Sequence, residues 1–412
     1  MQVNIAEKYR LQPYAKDSED ILRRCVHCGF CNATCPTFQI LGDELDGPRG
    51  RIYLIKQILE GASPTVSTRK HLDRCLSCQS CETTCPSGVQ YSRLLETGKQ
   101  IHDEILSRPI KEKLLRSVLR KILLHPWLFR ALLATGHSFS FLLPATMKNK
   151  LPPLGKSSSD AADRAEQIEY TSTLLMLRGC AQQVCAPEIN RSARDIFNQL
   201  GFNVVESTTD QCCGALSQHN DAIEEARDLA RKNIDAWWPW LQQGAEGIVL
   251  TASGCANMVR DYGHLLTDDA GYADKARRIA ELCRDPIEIL EKFSNQLRKK
   301  TGLAAHISYQ APCTQQHGLR LQGRVETLLS TAGFALTQQN IGHLCCGSAG
   351  SYSIIEPVLS SQLKANKLQD LTKDVPDLIA TANIGCFLHL QNGTDVPVRH
   401  WLQLIDVDRR ET

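Results

Sequence analysis

Cys25-Val26-His27-Cys28-Gly29-Phe30-Cys31-Asn32-Ala33-Thr34-Cys35-Pro36 and Cys75-Leu76-Ser77-Cys78-Gln79-Ser80-Cys81-Glu82-Thr83-Thr84-Cys85-Pro86 are two copies of one string, C-x-x-C-x-x-C-x-x-x-C-P. This is the spacing that ligates a [4Fe–4S] cluster. Three closely spaced thiolates curl around one face of an iron–sulfur cube. The fourth, beyond the longer gap, points toward the other cluster when two copies are paired. The inferred ligand sets are Cys25, Cys28, Cys31 with Cys85, and Cys75, Cys78, Cys81 with Cys35. A lone C-x-x-C would favour structural zinc. Two complete strings, each closed by proline, favour two [4Fe–4S] clusters. Linked clusters that only pass electrons make a wire, so the chain is expected to carry electrons between other groups.

The segment between the strings is too long for a simple turn. Arg51 to Glu60 places Ile52, Ile55, Ile58 and Leu59 at helical spacing, with Gly47-Pro48-Arg49-Gly50 as the turn into it and Gly61 as its stop. Further helices are expected over Thr68–Arg74 and Tyr91–Leu106, the latter with Leu94, Leu95, Ile101 and Ile105 on one face. Residues 1–108 therefore read as an α-helical ferredoxin-like domain, similar to that of respiratory iron–sulfur subunits.

Residues 109–165 are apolar and basic, with no Asp or Glu between Glu112 and Asp160. Leu114, Leu115, Val118, Ile122 and Leu123, then Trp127, Leu128, Phe129, Leu132 and Leu133, mix with Arg116, Arg120, Lys121 and Arg130. Pro126 should interrupt the helix. Such a segment can lie on an anionic membrane surface, or pack as a helical hairpin on its own domain or a partner subunit. The apolar run continues over Phe139–Pro144, and Gly155–Asp160 (GKSSSD) reads as a flexible linker.

Residues 166–300 and 301–412 are two halves of a duplication. The first carries Gly179-Cys180, Cys212-Cys213-Gly214 and Gly254-Cys255; the second Pro312-Cys313, Cys345-Cys346-Gly347 and Gly385-Cys386. The first three cysteines are offset by 133 positions and the last by 131, and Asn233 parallels Asn366. Each half alternates short apolar strands with helices, which predicts a duplicated parallel α/β Cys-Cys-Gly domain. Its cysteines fall just past strand ends, where such sheets hold ligands. Each half thus offers four soft ligands, Cys180, Cys212, Cys213, Cys255 and Cys313, Cys345, Cys346, Cys386, enough for an additional iron–sulfur cluster or zinc. Buried free thiols at a vestigial site remain the alternative.

The chain has 412 residues, 42% hydrophobic and 22% charged, with net charge near +2. That is ordinary for a soluble protein and gives no electrostatic argument for nucleic acid. Eighteen cysteines in so long a chain do not describe a disulfide scaffold. Cluster thiolates must stay reduced, so a cytoplasmic location is expected. Met1 to Asp20 lacks a signal-peptide core, Arg23-Arg24 runs into a cluster loop, and no stretch is apolar enough for a transmembrane helix.

The two ferredoxin strings followed by paired Cys-Cys-Gly halves resemble the iron–sulfur subunits of bacterial glycolate oxidase (glycolate dehydrogenase). The resemblance spans nearly the whole chain. It is most specific at Cys25–Cys31, Gly42–Ile52, Lys232–Pro239, His343–Gly350 and Thr381–Cys386. Relatives of this architecture include subunits of anaerobic glycerol-3-phosphate dehydrogenase, lactate-utilisation proteins and heterodisulfide reductase. The resemblance implies that flavin-binding partner subunits oxidise glycolate, consistent with the absence here of a G-x-G-x-x-G dinucleotide motif. Electrons would pass from the partner's flavin through the clusters to a quinone or other membrane acceptor. The chain would sit on the inner face of the cytoplasmic membrane if it is peripheral to it. In heterodisulfide reductase the repeat uses an added cysteine three positions after the last. Met258 and His389 stand there in this chain, so His389 is a candidate fifth ligand and disulfide reduction is disfavoured. Alternative readings are a subunit of a D-lactate or glycerol-3-phosphate dehydrogenase, a catalytic quinone or disulfide reductase using the Cys-Cys-Gly site, and a zinc-stabilised scaffold. His27, His317 and His343 are candidate tuning groups near the thiols, Arg49 and Arg51 candidate countercharges, and Cys185 and Cys283 expected free thiols, the latter in a helix.

Overall fold

A computed structural model describes residues 1–142, 151–155 and 170–408. The expected linker beyond Gly155 and the apolar run beyond Leu142 lie outside the described residues. The N-terminal region is helical. Helix Pro48–Leu59 starts at Pro48, whose fixed φ suits a first helical turn. Gly50 is therefore inside the helix, not in the turn before it. A Cβ there would lie 2.1 Å from the Glu44 carbonyl, so only glycine lets the preceding loop close this tightly. Ile52, Ile55, Ile58 and Leu59 are all buried against Leu94, Leu95 and Ile101 of helix Tyr91–Ile105. Ile105 itself is exposed, off the face to which its spacing assigned it. A Thr65–Thr68 capping box starts helix Val66–Asp73.

Pro126 divides the basic segment into helices Ile110–Leu124 and Pro126–Ser138. Phe129 and Leu133 bury against Val184 and Cys185 of the first repeat half. Ile110, Leu114, Leu115, Val118, Trp127, Leu132, Phe139 and Phe141 stay exposed. Among the described residues no helix is long and apolar enough to cross a membrane.

The repeat halves share one plan. The first has β1 (Ser172–Met176), β2 (Phe202–Val205), β3 (Gly247–Val249) and β4 (Cys283–Arg284), in the order β2-β1-β3-β4. The antiparallel partner strands β5 (Leu297–Lys299) and β10 (Ile405–Val407) form a separate pair. The second half has β6 (His306–Gln310), β7 (Ala335–Leu336), β8 (Leu378–Thr381) and β9 (Val398–His400), in the order β7-β6-β8-β9. Both four-stranded sheets are parallel throughout. Central strands such as Leu174-Leu175-Met176 are buried on both faces, as helix-covered parallel sheets require. The strand–helix alternation of the second half predicts one helix over Gln315–Ala332, and the structure breaks it. A π-helical turn, Thr314–Gly318, precedes helix Arg324–Thr331, with Arg320 and Gly323 in left-handed backbone between them (φ 56° and 80°). Cys283 lies on a strand paired with Ile248, not in a helix.

The halves meet end to end. Ser253 N donates to Ala382 O (3.1 Å), and His400 Nε2 pairs with Thr251 O (2.9 Å), joining the loops after β3 and β8.

Candidate metal centres

The first string forms a left-handed turn at His27 and Gly29 (φ 59° and 88°) before helix Phe30–Ala33. The second repeats it at Ser77 and Gln79 (φ 50° and 60°) before helix Ser80–Thr84. These turns reverse the chain so that successive thiols face inward. Cys25, Cys28, Cys31 and Cys85 line one solvent-open cavity of about 440 Å³, whose wall Cys81 shares. Cys35, Cys75, Cys78 and Cys81 line a second of about 400 Å³. The fourth cysteine of each string thus sits with the first three of the other.

Burial pushes the Cys31 thiol up to about 11, and Cys78 and Cys81 well above the usual thiol range. Neighbouring thiols push the same way. A bound metal must displace those protons, so its positive charge is what the sites lack as folded. Arg51 supplies part of it at the second cavity. It is fully buried, its Nη1 stands 4.0 Å from Cys35 Sγ, and it also donates to His71 O (2.7 Å) and Thr37 Oγ1 (3.1 Å). Buried Asp46 balances Arg51 (3.5 Å), Arg74 (2.8 Å) and His71 (3.1 Å). Arg49 is half-exposed and committed to Glu44. His27 stacks on Tyr53.

Each repeat half also gathers its four thiols. Cys180 and Cys212 Sγ lie 3.4 Å apart, and Cys213 contacts both Cys212 and Cys255. Cys313 and Cys345 Sγ lie 3.9 Å apart, and Cys346 contacts both Cys345 and Cys386. Thiol–thiol contact and burial push Cys180 and Cys313 well up. The thiols form a chain of neighbours. Among the described residues no three sulfurs lie within 4.8 Å of one another.

His389 Nε2 engages Ser360 Oγ (3.3 Å), not a thiol. Met258 is buried over Gly214. Cys185 is buried under the basic hairpin. His317 bridges two domains: Nδ1 pairs with Thr83 Oγ1 (2.9 Å) and Nε2 with His343 O (3.0 Å). Sequence reasoning missed how the domains meet. Leu76 packs with Cys345, Tyr352, Leu359 and Leu363, and Cys78 and Cys313 lie against the same cluster. It also missed Lys367, buried beside the second-half thiols, and no spacing signal marks it.

Residues 21–89 match the 4Fe-4S dicluster domain family, and residues 174–260 and 307–391 match the cysteine-rich domain family. The chain is 45% identical over 411 residues to the glycolate oxidase iron-sulfur subunit of Escherichia coli (strain K12), covering 98% of each. It is 28% identical over 408 residues to the probable glycolate oxidase iron-sulfur subunit of Bacillus subtilis (strain 168), covering 92% of this chain and 90% of that one. Lactate utilization protein A 1 of Bacillus mycoides (strain KBAB4) is 24% identical over 56% of this chain and 96% of its own. The crystal structure of a hypothetical protein from Helicobacter pylori shares the fold, with a TM-score of 0.54 at 10% identity over 96% of this chain and 72% of that one. With an N-terminal 4Fe-4S dicluster domain, two cysteine-rich domains and that full-length identity, the chain belongs to the family of glycolate oxidase iron–sulfur subunits.

Proposed function

We propose that this chain is the electron-transfer subunit of a multisubunit, flavin-dependent glycolate (2-hydroxyacid) dehydrogenase, and that it oxidises no substrate alone. Cys25, Cys28, Cys31 and Cys85 hold one [4Fe–4S] cluster, and Cys75, Cys78, Cys81 and Cys35 the other. Such clusters, when bound, supply one-electron steps between a partner's flavin and a quinone or other membrane acceptor. The observation that carries the reading is the crossing of the fourth cysteines between two cavities, each lined by one complete thiol set. Cys180, Cys212, Cys213, Cys255 and Cys313, Cys345, Cys346, Cys386 hold further iron–sulfur centres. The gathering of four thiols in each half supports this reading.

The chain works on the cytoplasmic side, and its exposed apolar and basic hairpin rests on anionic lipid. Exposed Leu114, Val118, Trp127 and Phe139 supply the apolar contact. Exposed Lys111, Lys113 and Lys121 supply the charge match, Arg116 and Arg120 being held by Asp221 and Glu225.

The test is anaerobic purification with iron and acid-labile sulfide analysis. Two four-iron clusters give about eight irons per chain, and the repeat adds more. Cys213→Ser and Cys346→Ser should each remove part of the excess and spare the ferredoxin signals. A colourless, zinc-loaded protein without sulfide would refute the reading, as would glycolate turnover by the isolated chain. Native co-purification of a flavoprotein that reduces this chain with glycolate is expected. Reduction only by lactate would move the assignment to a lactate dehydrogenase.

A further inference from the structure

The two repeat halves agree in plan but not in charge. Gly214 and Gly347 make the same left-handed turn after their cysteine pairs (φ 94° and 89°). A Cβ on Gly214 would lie 3.2 Å from Ala226 O, and one on Gly347 2.7 Å from Ser360 O. These carbonyls set the register between helices Ile223–Gln242 and Pro357–Thr372 at 134 positions, one more than the cysteine offset. Buried Leu229, Ile234 and Trp237 then coincide with buried Leu363, Leu368 and Leu371. Buried Asn233 coincides with buried Lys367, not with Asn366, which is exposed. The parallel between Asn233 and Asn366 fails by one residue.

Asn233 Nδ2 donates to Cys212 O and Tyr262 Oη (both 3.0 Å). At the same station Lys367 Nζ donates to Ile341 O (3.1 Å) and Gly342 O (2.9 Å), and the residue is 1% exposed. A neutral amide in one half is an ammonium in the other. Lys367 lies within electrostatic reach of Cys313, Cys345, Cys346 and Cys386; burial pulls its own pKa down, and Cys346, Asp370, Cys345 and Cys386 pull it back up. Nearby Asp370 is engaged by the N–H groups of Asn340 and Ile341 and by Lys373. Neighbouring thiols and burial act most strongly on the thiols of both halves; the second half differs in that Lys367 is added as a smaller, opposing influence at Cys313.

The ferredoxin domain distinguishes the halves as well. Its second string places Cys78 against Cys313 and Cys345, and Thr83 against His317. The first half meets that domain through Gln218 and Asp221, which contact Glu96, Arg108 and Lys99.

We propose that Lys367 makes the second Cys-Cys-Gly half the more readily reduced of the two, and that this half exchanges electrons with the second ferredoxin string. The proposal rests on the reading that the repeat halves hold thiolate-bound iron–sulfur centres. Reduction adds one negative charge to a site already rich in thiolate. A buried ammonium stabilises the reduced state more than the oxidised one, because in a poorly polarisable interior the attraction is weakly screened. One electron leaves the site of Cys35, Cys75, Cys78 and Cys81 and one arrives at the site of Cys313, Cys345, Cys346 and Cys386. No bond breaks, and Lys367 keeps its proton.

The experiment is a redox titration of the full chain, reconstituted anaerobically with ferrous iron and sulfide and followed by electron paramagnetic resonance. Cys213→Ser and Cys346→Ser assign the two repeat signals. Lys367→Met should lower the reduction equilibrium of the second-half signal at least tenfold, about 59 mV for a one-electron couple. Lys367→Arg, which keeps the charge, should stay within about threefold of wild type on the same scale, and the ferredoxin signals should not move. Loss of second-half iron in Lys367→Met with retention in Lys367→Arg also supports the charge role. An unmoved signal in Lys367→Met overturns the proposal. So does an equal shift, or equal loss of iron, in both variants, since either would mark a packing role. A wild-type chain holding no iron beyond the two strings would defeat the underlying reading, and that outcome is visible before any variant is made.

Discussion

Arg108→Met should loosen the ferredoxin domain from the first repeat half. Arg108 is 7% exposed. Its guanidinium donates to Asp73 (2.5 and 3.0 Å), Asp103 (2.8 Å), Glu112 (2.7 Å) and, across the domain boundary, Asp221 (2.8 Å). Burial works to raise the Asp73 carboxyl, but the Arg108 hydrogen bonds and the charges of Lys99, Arg108 and Arg116 bring it from 3.8 down to about 2. A shift of that size is worth about 2 kcal/mol in favour of the charged form. Removing one partner of a buried ion pair costs about 3–5 kcal/mol, because the other charge is stranded. Arg116 stays 3.0 Å from Asp221, and Lys99 3.7 Å from Asp73, so a loss near the lower bound, about 3 kcal/mol, is expected. Asp73's folded value lies below its unfolded one. Its contribution is therefore complete above 3.8 and is lost as pH falls through about 2. A chain with several domains does not unfold in one step, so native-state hydrogen exchange is the assay. Amides in helices Tyr91–Ile105 and Ala215–His219 report local opening. Arg108→Met should lower their opening free energy together. Combined with Asp221→Asn, the loss should fall short of additivity by at least about 1 kcal/mol. A change below about 1 kcal/mol, or strict additivity, would refute the clamp.

Gly347→Ala should damage its half more than Gly214→Ala. The added Cβ would stand 2.7 Å from Ser360 O and 2.9 Å from Leu363 Cβ, against 3.2 Å from Ala226 O, while the left-handed backbone costs about 1–2 kcal/mol at either site; thermal melts and repeat iron showing the reverse order would contradict this. Arg51→Met should remove the second ferredoxin centre, about four irons per chain, and spare the first, because the guanidinium lies beside Cys35 and balances Asp46. Equal loss at both centres, by iron analysis and electron paramagnetic resonance, would count against it. The chain should sediment with phosphatidylserine vesicles and not with phosphatidylcholine ones, and Trp127→Ser with Leu114→Glu should weaken this at least fivefold; binding unaffected by lipid charge or by both changes would end the membrane reading.

Much of the candidate site was legible in the sequence because its signals are local. A C-x-x-C-x-x-C run dictates which thiols share a turn, and the proline closing the first string starts the next helix. The helix Pro48–Leu59 was legible because its apolar residues repeat at the helical period. The duplication was legible because cysteines and glycines recur at nearly one offset, 133 and then 131 positions. Legibility failed where contacts cross domains. The helix expected over Gln315–Ala332 breaks where Arg320 and Gly323 take left-handed backbone, beside a Gly318 packed against Asn257 and Gln79 from elsewhere in the chain. Ile105 fits an apolar stripe but lies beyond the core's edge. Asn366 looked like the partner of Asn233 because letters align more readily than side-chain directions, and one residue turns a helix by about 100°.

The sequence by itself determined the chemistry: eight thiols in two interleaved sets, eight more in a duplicated α/β frame, and no visible dinucleotide motif. Ligand spacing and strand–helix alternation are properties of a few consecutive residues, so they survive without tertiary context. Only the tertiary structure decided that the two halves differ. The second ferredoxin string lies against Cys313 and Cys345, and a buried lysine faces the second-half thiols where an asparagine stands in the first. The first comes from packing between segments more than two hundred residues apart and the second from the turn of a helix against a loop some 25 residues away, where burial and charge, not local pattern, set what a side chain can do.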